Sequence, residues 1–320
     1  MVELGRTIAD LESWIPFFRS ELDAMNHKKN GRPFEYPDSM IWWIMRHHAV
    51  NDSTFRLTAG QLHAALEGAW GKAISYSSLN ERANDVAEIF AKSAGKIRKL
   101  YGAGVISAHV CQNAVSRTRR VGIDSTGLNQ SNTNLWRSVK WNTGPKYKGW
   151  LKFHSLCDVD TGEILAYAIT DETVGDAPLL KLLVGKAIDG GHIFDRVYAD
   201  GAYASDENWK FLCRDRGMEF VTSFKVNTVP KNKGCFERGE AARLWCSLQY
   251  DEWVKVSGYG TRWKCECVFS DLKRIFPETV TAKTLRGILR QIHSRVGVFN
   301  DYKGIRAGIM RITGNGVAVA

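Results

Sequence analysis

Four side chains toward the C-terminal end have types and spacing that could do chemistry: Tyr259, Arg262, Glu266 and Lys273, separated by three, four and seven residues. On an α-helix, at about 100° per residue, they fall within one stripe roughly 60° wide. A stripe holding a phenol, a carboxylate and two cations is costly to bury without partners. A divalent metal for Glu266 and phosphates for Arg262 and Lys273 would satisfy it. So would a solvated helix face with an Arg262/Glu266 ion pair, worth roughly 0.2–0.5 kcal/mol. The other chemistry-bearing positions weigh between the two.

Asp124 and Asp200 each close an apolar stretch, RRVGID and FDRVYAD. If those stretches are parallel neighbouring strands, about 4.8 Å apart, the two carboxylates meet at one edge of a sheet. Strand ends in open α/β sheets are where sites form. Glu266 would then have to arrive on a packed helix. Three such groups close together raise one another's pKa unless cations neutralise them. Two Mg²⁺ ions would do so, activating an attacking oxygen and stabilising a leaving one.

The spacing Tyr259-x2-Arg262-x3-Glu266-x6-Lys273 resembles, at every position, the signature of DDE transposases of bacterial and archaeal insertion sequences, in the groups numbered four and five. Asp124-Ser125-Thr126-Gly127 and Tyr198-Ala199-Asp200-Gly201-Ala202-Tyr203 resemble the blocks around that family's first two carboxylates. Lys152-x-His154 and Gly31-Arg32-Pro33 extend the resemblance over residues 30 to 303. It implies a transposase that cuts DNA at transposon ends and joins the freed 3′-hydroxyl to target DNA. It implies that Asp124, Asp200 and Glu266 hold two Mg²⁺ ions, with Mn²⁺ as a substitute, and that Tyr259, Arg262 and Lys273 contact DNA phosphates. The implied partner is double-stranded DNA, bound by a homodimer on paired ends. A structure-specific nuclease on the same fold, or a non-catalytic DNA-binding protein derived from a transposase, are the alternatives. One departure matters. Group-four members often carry a large β-rich insertion before the glutamate helix, and here Asn227 to Ser257 is about thirty residues, which favours group five and speaks against a hairpin-forming mechanism.

The composition agrees with a nucleic-acid partner. Lys plus Arg number 44 against 34 Asp plus Glu, a formal charge of +10, and each phosphate neutralised releases counterions. From Arg117 to Lys152 eight basic residues accompany one acidic one, interleaved with Trp136, Trp141, Tyr147 and Trp150. Arg137, Lys140, Lys146 and Lys148 are therefore expected to clamp DNA. Lys152 and His154 share a strand face opposite Leu151 and Phe153, turned to DNA, to the metal site or to solvent. No apolar run is long enough for a membrane span and the N-terminus lacks a signal-peptide layout, so a cytoplasmic, nucleoid-associated protein of a prokaryote is expected. The seven scattered cysteines read as reduced thiols.

The elements that must position these residues can be read in order. Helices fill the first hundred residues: Asp38 opens one, Thr58 is expected to cap a second, and Ser78 with Glu81 to form a capping box for a third, in a helix-turn-helix-like arrangement. Three strands then precede helix, strand, helix, strand and helix. The expected fold is α/β: a ribonuclease-H-like mixed five-stranded sheet with flanking helices, plus an N-terminal helical domain. Expected boundaries are 1–110 for DNA binding or dimerisation, 111–226 and 258–303 for catalysis, 227–257 for a short insertion and 304–320 for a tail. Asp158-x-Asp160 reads as a turn, Asp176 as a helix cap, and Leu285, Ile288, Leu289, Ile292, Val296 and Phe299 as a core stripe.

Overall fold

The computed structural model describes residues 11–51, 53–66, 70, 74–91, 105–111, 120–130, 150–230, 234–282, 284–307, 310–313 and 316–319. Two compact units emerge: residues 1–92 with 282–320, and residues 93–281.

In the first unit, α1 (Leu11–Asn26), α2 (Asp38–Asn51), α3 (Phe55–Leu66) and α4 (Tyr76–Ala91) are helices. Met40, Ile41, Ile44, Met45, Leu62 and Leu79 are fully buried between them, each such side chain contributing roughly 1.5–3 kcal/mol of burial. Two helix starts differ from the sequence expectation. The Thr54 hydroxyl accepts from the Leu57 N–H at 3.2 Å, and the Ser75 hydroxyl from the Ser78 N–H at 3.0 Å. An earlier hydroxyl reaches the free N–H groups first in each case, so α3 and α4 begin a few residues upstream of Thr58 and Ser78.

The second unit is built on a seven-stranded sheet. Its strands are β1 (Val105–Val110), β2 (Arg120–Gln130), β3 (Leu151–Asp158), β4 (Ile164–Asp171), β5 (Arg196–Ala199), β6 (Glu219–Thr222) and a short β7 (Thr279–Val280). The order is β1-β4-β3-β2-β5-β6, with β7 beside β2. β2, β3 and β4 pair antiparallel, while β5 and β6 continue from β2 in parallel. That is the ribonuclease-H-like core expected from the sequence, with β1 and β7 added. β4 is buried along nearly its whole length, as a central strand covered on both faces must be.

Helices cover both faces. α5 (Ala177–Asp189) packs on β4, β1 and β3. After β5, a 3-10 turn Gly201–Tyr203 leads into the short α6 (Asp206–Trp209) and a π-helical turn, Lys210–Asp215. The stretch expected to be an insertion contains two helices, α7 (Phe236–Ser247) and α8 (Tyr250–Ser257). Gly258 ends α8 at φ +68°, a left-handed conformation that glycine adopts without a Cβ clash. A 3-10 turn, Tyr259–Arg262, then feeds α9 (Trp263–Ile275), which packs on β2.

Gly122 is what lets α9 lie so close. A Cβ there would stand 2.0 Å from the Cys265 Sγ. Phe269 of α9 meets Phe153 edge-on at 6.3 Å on the same face.

The last helix, α10 (Leu285–Arg306), packs on α2 and α4 and so belongs with the N-terminal helices. Its apolar stripe is core, as expected, although Arg290, Arg295, Asn300 and Asp301 are buried with it. Arg290 satisfies its charge on the side-chain oxygens of Asn80 and Asn84, both at 2.9 Å, and lies over Phe55. The strands β8 (Met310–Thr313) and β9 (Gly316–Val319) pair antiparallel. None of the seven cysteines is in a disulfide, and among the described residues no helix is long and apolar enough to cross a membrane.

Candidate active site at the β2–β5 junction

The parallel register of β2 and β5 pairs Ile123 with Ala199. One residue further along each chain stand Asp124 and Asp200, side by side at the point where the pairing stops. β5 ends there, and Asp200 caps the following 3-10 turn by accepting from the Ala202 N–H at 2.9 Å. β2 does not end at Asp124, contrary to the sequence expectation. It runs on to Gln130 because β3 pairs with it from Val121 to Leu128, and β7 takes over at Asn129 and Gln130.

Glu266 comes from α9. Its side chain is 61% exposed, while that of Asp124 is 16% exposed. Arg262 joins the two: Nη1 lies 3.3 Å from Asp124 Oδ2 and Nη2 lies 2.9 Å from Glu266 Oε1. Burial pushes the Asp124 carboxyl above the usual carboxylate range, against the pull of the Ser125 N–H and Arg262, and the charges of Asp200 and Glu266 push it further up. Burial disfavours the Arg262 charge, yet the charges around it outweigh that and keep it protonated.

The four-residue stripe is not one helix. Tyr259 and Arg262 lie in the 3-10 turn, and only Glu266 and Lys273 lie on α9. Tyr259 is nearly buried; its hydroxyl donates to Ser223 Oγ at 3.1 Å and accepts from Arg262 Nε at 3.0 Å. Lys273 pairs with Glu278 at 3.0 Å, away from the carboxylates. Asp271 pairs with Arg274, in keeping with its place on the opposite side of the helical wheel.

Of the expected DNA contacts, Arg137, Lys140, Lys146 and Lys148 lie outside the described residues. His154 has no exposed surface. The expectation that it faces DNA is corrected by its strand position, which turns it inward beneath α5. Its Nε2 meets Thr170 Oγ1 at 2.9 Å and its Nδ1 lies 3.3 Å from Asp176. Lys152 is likewise engaged, 2.8 Å from Asp176. Asp176 precedes α5, but its side chain makes no capping hydrogen bond. It gathers Lys152, His154 and the Ser125 hydroxyl instead. Burial opposes its charge, yet the hydrogen bonds from His154 and Lys152 outweigh that and hold it below the usual range. Sequence reasoning missed this role. The available signal was a lysine and a histidine alternating with apolar residues, which need an acid on whatever packs over them.

Asp158 accepts from the Asp160 and Thr161 N–H groups and forms the turn expected of it. Trp253 is buried against Trp245 and Tyr259, whereas Trp263 is exposed.

The donor set is right in kind for a hard divalent ion, which prefers carboxylate oxygens. As arranged, the Arg262 guanidinium supplies the positive charge between Asp124 and Glu266, and among the described residues no three ligating side chains are gathered closely enough to hold an ion. Asp124 and Asp200 are neighbours at the end of the β2–β5 pairing, and Glu266 is largely exposed beside Arg262.

No curated protein matches the chain. A solved structure, the piggyBac transposase synaptic complex with hairpin DNA, is similar at 11% identity and a TM-score of 0.38, covering 95% of this chain and 76% of that one. The family described as "Transposase DDE domain" matches residues 116–300, more than half of the chain and the whole stretch from β2 to α9 that assembles Asp124, Asp200 and Glu266. By that match the chain belongs to the DDE transposases.

Proposed function

We propose that the protein is an insertion-sequence transposase that cleaves DNA at transposon ends and transfers the 3′-hydroxyl to target DNA, with Asp124, Asp200 and Glu266 as its catalytic carboxylates. The observation that carries this reading is the β2–β5 register, which brings Asp124 beside Asp200 at the end of their parallel pairing, with Arg262 linking Asp124 to Glu266. Cleavage adds water across a phosphodiester and leaves a 3′-hydroxyl; strand transfer uses that hydroxyl as the next nucleophile. Asp124, Asp200 and Glu266 would hold two Mg²⁺ ions, or Mn²⁺ in their place, which supply positive charge to the scissile phosphate and to the attacking and leaving oxygens. Arg262 would pass from the carboxylates to a DNA phosphate as the ions bind, since one guanidinium cannot serve both at full strength. Tyr259 keeps Arg262 in place through its hydroxyl, and Lys273 adds a phosphate contact once released from Glu278.

DNA is the proposed partner, bound as a homodimer on paired ends, with the N-terminal helices supplying end recognition and the Arg117–Lys152 segment gripping phosphates. The reading places the protein on the nucleoid in the cytoplasm of a prokaryote. The test is incubation of the full-length protein with the ends of its own element, target DNA and Mg²⁺. Joined product from wild type, and none from Asp124→Asn or Glu266→Gln, is the expected result. Cleavage without any joined product would make the protein a nuclease, and DNA binding without cleavage would make it a binding protein.

A further inference from the structure

Asp124 and Ser125 are consecutive on β2, so their side chains leave opposite faces of the sheet. Asp124 turns to Arg262 and α9. Ser125 turns to the face covered by α5, directly opposite His154 in the β2–β3 register, whose ring lies 3.3 Å from Asp176, and its hydroxyl is among the groups that favour the Asp176 charge. The Ser125 N–H meanwhile donates to Asp124 Oδ1 at 2.8 Å. Anchoring Ser125 from below therefore fixes the N–H that orients the Asp124 carboxylate above.

A second tether runs to Asp200. The 3-10 turn capped by Asp200 ends at Tyr203, which is fully buried. Among the described residues the Tyr203 hydroxyl has no hydrogen-bond partner, and it lies within the fields of Asp176, Asp124 and Asp200. Asn208, also buried, donates to the Tyr203 carbonyl at 3.0 Å and to the Ala177 carbonyl at 2.9 Å. It thus ties the Asp200 turn to the residue beside Asp176.

We propose that Asp176 is a positioning residue for the candidate active site, the hub of a buried polar network that sets Asp124 through Ser125 and the Asp200 turn through Tyr203 and Asn208. Lys152 and His154 keep the hub in place: the lysine ammonium lies 2.8 Å from it and the His154 Nδ1 3.3 Å, while His154 Nε2 meets the Thr170 hydroxyl, which itself donates to the Asp171 carbonyl. Outer partners of metal-binding carboxylates govern how well the ligands are aimed. The proposal rests on the reading of Asp124 and Asp200 as ligands.

The test compares full-length wild type, Ser125→Ala, Ser125→Thr, Asp176→Asn and Asp124→Asn in Mn²⁺ binding by calorimetry, in DNA affinity and in single-turnover cleavage against Mg²⁺ concentration. Ser125→Ala and Asp176→Asn should each weaken Mn²⁺ binding by about 10–100-fold and raise the Mg²⁺ needed for half-maximal cleavage similarly. DNA affinity should stay near wild type, and Ser125→Thr, which keeps the hydroxyl, should recover most of the loss. Should Asp176→Asn fail to fold, the two serine variants decide the matter. Loss of Mn²⁺ binding in Asp124→Asn, with wild-type values in Ser125→Ala and Asp176→Asn, overturns the hub alone. Mn²⁺ binding that Asp124→Asn leaves unchanged would remove the site reading and the hub together.

Discussion

The two faces of β2 treat their carboxylates in opposite ways. On the α9 face Arg262 links Asp124 to Glu266, Asp200 stands beside Asp124, and burial pushes the Asp124 carboxyl up. On the α5 face Asp176 alone receives Lys152, His154 and Ser125, and its carboxyl is held down. One face sets three carboxylates around a guanidinium that links two of them, and the other sets one carboxylate beside a lysine and a histidine. A carboxylate matched by its own protein's cations serves as scaffold; a group short of positive charge is poised for a ligand that brings it.

The largest effect should separate the faces by chemistry. Asp124→Asn, Asp200→Asn and Glu266→Gln should each lower the cleavage rate by on the order of a thousand-fold or more, with DNA affinity largely kept. Asp271→Asn, on the same helix but paired with Arg274, should cleave like wild type. Single-turnover assays on end DNA would break the comparison if Asp271→Asn were the damaging change.

Stability should divide the faces next, and with opposite sign. Asp176→Ala strands Lys152 and His154 and should cost about 2–3 kcal/mol in denaturant unfolding. Asp124→Asn removes a carboxylate that the fold holds charged at a cost, and should raise Tm at neutral pH; a lowered Tm would contradict the reading of that face. The acid limb follows from the depressed Asp176 value. Its contribution is complete above the unfolded-state pKa of about 3.9 and is lost as pH falls through the folded value. Asp176→Asn should therefore flatten the stability decline below about pH 4.

A smaller effect concerns how α9 reaches the sheet. Gly122→Ala should cost about 1–3 kcal/mol by driving a methyl into the Cys265 sulfur. It should also slow cleavage, since Cys265 neighbours Glu266. Cys265→Ala in the same chain should recover most of both losses, and no recovery would mean that Gly122 matters for another reason.

The smallest effect is at Lys273. Its exposed pair with Glu278 is worth about 0–1 kcal/mol, so Lys273→Gln should hardly alter stability. If it contacts a phosphate, the salt slope of DNA binding should drop by about one. An unchanged slope would confine Lys273 to its partner in the fold.

Periodicity made β3, β4, β5 and the α10 stripe legible, because alternation and helical spacing are written in neighbouring residues. Helix starts were less legible: Thr54 and Ser75 reach the first free N–H groups ahead of Thr58 and Ser78, a competition of distances rather than residue types. Lys152 and His154 were visible as a pair, but the acid that engages them arrives from α5, some twenty residues away in the chain.

By itself the sequence determined the strand-and-helix order from β2 to β6 and the positive charge, which are properties of residue type and local periodicity, while Asp124, Asp200 and Glu266 were picked out by the resemblance of their segments to those of insertion-sequence transposases. Only the tertiary structure decided that β2 runs past Asp124, that a 3-10 turn divides Tyr259 and Arg262 from α9, and that His154 faces inward. It also grouped α10 with the N-terminal helices. These depend on which surfaces pack: β3 and β7 supply the hydrogen bonds that prolong β2, Gly258 turns the chain before Tyr259, and α5 closes over one face of the sheet while α9 leaves the other short of positive charge.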